Sequence, residues 1–147
     1  MGHFDSLNGY TLVEVLIVLA ILTVIFGFAI EAGSNFYGGQ SLSAERDSLT
    51  NLLKTARNQA MNNIDESSHG VYIVADKYIL FEGNSYAARK QDFDSVFTRS
   101  KAVDISGLTE VVFNAPQGDS DSSGTITISN GNGAAVIRIN NEGRIDW

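Results

Sequence analysis

The sequence predicts an α+β chain: a long N-terminal helix, membrane-spanning in its first half, packed on a small antiparallel β-sheet head. Three observations carry this reading. An uncharged apolar run extends from Val15 to Ile30 (VLIVLAILTVIFGFAI). A stripe of helical period follows over 41–64, and short segments of strand period, separated by Gly and Asn turns, fill the rest.

The apolar run comes first. Extended back to Tyr10 it contains one charge, Glu14. A bilayer core needs about 20 apolar residues as helix, so a transmembrane helix is expected over 10–31. A helix apolar on all sides has no wet face to offer in a soluble domain. The alternative is a secretory signal, but such signals place an apolar core of about 7–15 residues after a basic segment. Residues 1–9, MGHFDSLNG, contain Asp5 and no Lys or Arg, and a cleavage site around Ile30–Ala32 is a poor match.

Gly33, Gly38 and Gly39 mark a connector over 32–40, and a soluble α+β head is expected over 41–147. Its first element is a helix over 41–64. Leu42, Leu49, Leu52, Leu53, Ala56, Ala60 and Ile64 fall at spacings of three, four or seven and form a stripe for packing on a sheet. Arg46, Asp47, Lys54, Arg57 and Asn58 lie on the other sides; Ser41 or Ser43 caps the start, with Glu45 and Asp47 in the first turn. The period then changes. GVYIVA (70–75) and YILFEG (78–83), joined at Asp76-Lys77, read as a tight hairpin. Residues 84–101 read as a long loop or irregular edge strand. LTEVVFNA (108–115), GTITIS (124–129) and AAVIRIN (134–140) are further strands. Asn130-Gly131-Asn132-Gly133 supplies the positive φ that a two-residue hairpin turn needs. Asn141-Glu142-Gly143 turns the chain into the final Arg144-Ile145-Asp146-Trp147.

Gly9-Tyr10-Thr11-Leu12-Val13-Glu14, followed at once by the apolar run, resembles the processing site of type IV pilin-like proteins. The resemblance implies a leader over 1–9, cleavage between Gly9 and Tyr10 by a prepilin peptidase and methyltransferase, and N-methylation of Tyr10. It also implies that Glu14 pairs with the N-terminal amine of a neighbouring subunit during assembly. Physical cost points the same way: a carboxylate in an apolar helix costs about 2.5–3.5 kcal/mol near a bilayer centre and calls for a partner. The plainer alternative is a charge that reaches the interface from a helix end. The helix has no proline, Glu31 standing at the matching position, and the chain has no cysteine. Both features lean toward pseudopilins and minor pilins over major pilins with a disulfide-closed loop. VVFNAPQG, GTITIS and AAVIRINNEGRI resemble in order and type the C-terminal layout of the GspH/FimT-like group.

The resemblance therefore implies the type IV pilin fold and a structural subunit of a type II secretion-like or type IV pilus-like filament. Its partners are other pilin-like subunits, the processing peptidase and a membrane platform protein. Its expected place is the bacterial inner membrane, single-pass, with the head on the periplasmic or extracellular side. The alternative function is a membrane-anchored binding module, such as a DNA-binding minor pilin of an uptake system.

Other constellations are weaker. Asp119-Ser120-Asp121-Ser122-Ser123-Gly124 fits the first half of a calcium loop, with Asp119, Asp121 and Ser123 as ligands, but Asn130 stands where the closing carboxylate belongs. A solvated turn between strands is the plainer reading, so no cofactor is expected. Arg89, Lys90, Arg99 and Lys101, interleaved with Tyr86, Phe93 and Phe97, form the main basic concentration. Arg138 and Arg144 are the candidates for DNA contact by analogy with FimT-like pilins. The net charge of −7 argues against a nucleic-acid partner, since phosphate binding rests on Lys and Arg. No nucleophile motif, phosphate-binding glycine loop or metal-spaced histidine pair occurs, which predicts a non-enzyme.

Overall fold

The computed structural model describes the backbone of residues 10–147 and the side chains of 10–28 and 39–147. The leader expected over 1–9 lies outside the described residues. The chain divides into two compact units between Phe36 and Tyr37.

A single helix, α1, runs from Leu12 to Met61, 50 residues. The connector expected over 32–40 is therefore helical. Glycine costs a helix about 1 kcal/mol relative to alanine but keeps its N–H and leaves the hydrogen-bond ladder intact. The one residue that would break the ladder, proline, occurs once in the chain, at Pro116. Glu45 and Asp47 consequently stand in mid-helix, not in a first turn. At the other end the helix stops short of Ile64. Asn63 takes a left-handed conformation (φ 50°) and a 3-10 turn, Ile64–Glu66, follows.

Eight strands complete the second unit: β1 His69–Ile73, β2 Lys77–Glu82, β3 Ser95–Thr98, β4 Asp104–Gly107, β5 Glu110–Phe113, β6 Gly124–Asn130, β7 Gly133–Ile139 and β8 Ile145–Asp146. They form two four-stranded sheets, ordered β3-β2-β1-β5 and β4-β6-β7-β8, where one sheet was expected. Every pairing is antiparallel. The chain crosses to the second sheet for β4, returns for β5, and crosses again for β6. The segment 84–101 yields an edge strand, β3, and β4 is an element that the hydropathy pattern does not announce.

One core joins the helix to both sheets. Leu49, Leu52, Leu53, Ala56 and Ala60 of α1 pack with Val71, Tyr78, Val111 and Phe113 of the first sheet and Ile126, Ile128, Ile137 and Ile145 of the second. The stripe read from the sequence is this face. The first sheet is covered on its other side as well, by Ile79, Phe81 and Val112 with Tyr72, Val74 and Tyr86. Tyr86, from the loop after β2, stacks on Tyr72 at 3.8 Å between centroids and meets Phe81 edge-on at 5.8 Å. Burial on two faces explains why β1 and β2 read as continuous apolar runs and not as alternation.

Glu45 sits on the apolar face of α1 and is 7% exposed. Its carboxylate accepts the Tyr78 hydroxyl at 2.6 Å and the Ser100 backbone N–H at 3.3 Å. Burial, then the bond to Glu45, pushes the Tyr78 phenol well above its ordinary range. Arg57, expected on a solvated side, instead donates to the carbonyls of Gly118 at 3.0 Å and Glu142 at 3.3 Å, which ties the C-terminal turns to the helix.

Among the described residues, every buried hydrophobic side chain lies between Leu49 and Ile145. The fragment 37–147 is thus predicted to fold alone; circular dichroism showing an unfolded fragment in mild buffer would break this division. A second expectation concerns alkaline stability. The folded state holds the Tyr78 proton more tightly than the unfolded state, so above about pH 10 unfolding releases a proton and stability falls, by about 1.4 kcal/mol per pH unit. Urea midpoints measured between pH 9 and 11 should show this extra slope in the parent and not in Tyr78→Phe.

Candidate functional site

The residues singled out at the N-terminus build a helix start. Thr11 Oγ1 accepts the Glu14 backbone N–H at 3.2 Å, and the Thr11 carbonyl accepts the Val15 N–H at 3.2 Å. Thr11 is therefore the N-cap, one of the residue types best suited to satisfy the free donors of a first turn. Thr11 and Glu14 have the spacing of a capping box. Glu14 also lies in the first turn of α1, where the partial positive charge of the helix end favours a carboxylate. The polar residues of the motif thus have a local structural role that the reading from sequence did not assign. Tyr10, Glu14 and Val18 share one side of the helix and line a single open concavity. Gly9 lies outside the described residues.

Beyond the cap the surface is apolar and uncovered. Every residue from Tyr10 to Phe28 is exposed, with Leu12 at 77% and Phe28 at 73%. Among the described residues no helix is long and apolar enough to cross a membrane. The described side chains of this stretch end at Phe28, and Leu12 to Phe28 measures about 25 Å as helix against about 30 Å of hydrocarbon.

The calcium candidates form a connection held from within. Asp119, Asp121 and Ser123 are exposed. Between them Ser120, 2% exposed, donates its hydroxyl to the Val112 carbonyl at 2.7 Å and accepts the Ser122 N–H at 3.2 Å. The Asp119 carbonyl accepts the Asn114 N–H at 2.9 Å. Among the described residues no group of three or more His, Asp or Glu converges to hold a metal ion.

Of the basic candidates, Arg89, Lys90, Arg99 and Arg144 are engaged internally, while Lys101 and Arg138 are exposed. Arg138 faces Asp146 in the β7–β8 register, and Arg144 pairs with the same Asp146 at 3.0 Å. Arg89 pairs with Asp94 at 2.8 Å, lies over the Tyr86 ring at 3.7 Å and donates to the Tyr86 carbonyl at 2.8 Å. Lys90 pairs with Glu82. Arg99 donates to the carbonyls of Ala75 at 3.0 Å and Val103 at 2.6 Å. The cations fasten the loop after β2 and the link from β3 to β4.

Residues 8–30 match the prokaryotic N-terminal methylation motif, the type IV pilin-like N-terminal signal. This match contains Gly9, the Thr11 cap, Glu14 and the apolar run. No curated protein and no solved structure matches the chain.

Calcium at millimolar concentration is expected to leave the thermal midpoint of the protein unchanged, because the three candidate ligands gain no further carboxylate. A rise of several degrees, abolished by Asp119→Asn, would restore the site.

Proposed function

We propose that the chain is a structural subunit, a pseudopilin or minor pilin, of a type II secretion-like or type IV pilus-like filament. A prepilin peptidase cuts between Gly9 and Tyr10 and the new Tyr10 amine is methylated. The helix over 10–31 anchors the subunit in the inner membrane, with the head on the outer side, until a platform protein assembles it with other pilin-like subunits. The role is mechanical and not enzymatic. The observation that supports this most directly is the methylation motif over 8–30, whose apolar run is exposed at every residue from Tyr10 to Phe28. A patch that large on one helix requires a lipid or protein cover. Placement in the GspH/FimT-like group rests on the C-terminal strand layout alone.

Glu14 is the assembly residue in this reading. After cleavage, the amine of Tyr10 in one subunit and Glu14 of the next meet among apolar helices. Leaving one partner of such a pair buried alone costs about 3–5 kcal/mol.

Two measurements test this. The intact mass of protein from its host membrane should correspond to a chain beginning at N-methylated Tyr10; a mass that retains Met1 removes the processing step. Glu14→Gln should insert normally, since a charge leaves the apolar run, yet crosslink far less to other pilin-like subunits at equal membrane abundance. Unchanged crosslinking would reduce Glu14 to a charge at a helix end.

A further inference from the structure

A cavity of about 110 Å³ lies where the end of α1, the 3-10 turn, the strands β1 and β2 and the start of β3 meet; Phe81, Phe93 and Ser95 line it beside two unmatched acceptors, on Gln59 and Glu82. Glu82 is 2% exposed; Lys90 pairs with its Oε1, while its Oε2 is buried without a partner. The Oε1 of Gln59 is also buried and unpartnered. His69, 5% exposed, has Nδ1 at 2.9 Å from the Ser67 carbonyl. A carbonyl only accepts, so Nδ1 donates in this bond. Asp65 adds an exposed carboxylate to the lining. The two carboxylates Glu82 and Asp65 face one cation, Lys90, which leaves a local negative charge. An unpaired acceptor buried this deeply costs about 1–3 kcal/mol, so the site favours whatever brings donors to it.

We propose that this cavity binds a primary ammonium group, either that of a small free amine or the tip of a lysine side chain of another protein. Three lines of chemistry select this ligand. The lining needs a donor with several N–H bonds and a positive charge, which an ammonium has. The cavity, about 110 Å³, is large enough for an ammonium with a short carbon stem. A metal ion is disfavoured because no three His, Asp or Glu converge on it among the described residues. The turn after α1, with Asn63, Asp65 and Glu66 all at φ near +50°, brings Asp65 into the lining. The inference stands independently of the filament reading, because every lining residue belongs to the second compact unit.

The test uses the full chain in detergent, with the His69 ring resonances as reporter. Methylammonium chloride should shift them saturably, whereas tetramethylammonium chloride and potassium chloride at equal ionic strength should not. Glu82→Gln should weaken methylammonium binding about tenfold, as expected for loss of a charge-assisted hydrogen bond. Should that variant fail to fold, Asp65→Asn, at an exposed position, should weaken it several-fold. A short peptide with one lysine, compared with its Nε-acetyl form, separates the sources: binding by the lysine peptide assigns the site to a protein side chain, and binding by methylammonium alone assigns it to a free amine. Equal shifts in all three salts, no shift with methylammonium, or binding unaffected by the substitutions would overturn the proposal.

Discussion

The constraint on which the rest depends is the uncovered apolar surface from Leu12 to Phe28. Burying one Val, Leu, Ile or Phe side chain is favourable by about 1.5–3 kcal/mol. Summed over this stretch, the drive to leave water exceeds the 5–15 kcal/mol that typically holds a domain folded. An exposed apolar surface of this size calls for a cover. The run lies within the methylation motif at 8–30. The charge lies elsewhere: all 10 Lys and Arg and 14 of the 17 Asp and Glu fall within 37–147, a net of −4 for the second unit.

Inside the second unit, charge is spent on connection. Glu45 receives a tyrosine from β2 and a backbone N–H from the loop after β3. Arg57 and Arg99 donate to carbonyls of turns that have no strand partner. Arg89 locks the loop whose Tyr86 covers the first sheet. These contacts satisfy polar backbone groups where the two sheets and the helix leave gaps in the ladders.

Long-period features were legible in the sequence. The stripe from Leu49 to Ala60 became the core face, and the Asn130–Gly133 turn closed the β6–β7 hairpin between strands within a residue or two of their expected bounds, although none of its residues takes the positive φ expected there. Features decided by tertiary context were not. The glycines at 33, 38 and 39 suggested a break, but a helix tolerates them when no proline intervenes. β4 holds a single large apolar residue, Ile105, and exists through pairing with β6. Its Gly107 has φ +100°, and a side chain there would lie 2.1 Å from the Thr125 carbonyl oxygen. At the functional site, the methylation motif was visible because it is contiguous. Glu45 does have a signal in the sequence, a carboxylate at the i−4 position of Leu49 on an apolar stripe. The cavity around Glu82 had none, because Gln59, Asp65, His69 and Glu82 come from separate elements.

The ties from α1 to distant turns bear on how the protein is made. Arg57 meets Glu142 across 85 residues of sequence, and Ile137 and Ile145 cover the same face as Leu53. A chain synthesised from its N-terminus therefore completes this helix long before the strands that cover it leave the ribosome. During that interval its stripe and the Glu45 carboxylate have no native cover, and contacts of such high sequence separation form late. The helix waits for its own C-terminus, and a chaperone or a crowded membrane surface has that whole interval in which to meet it.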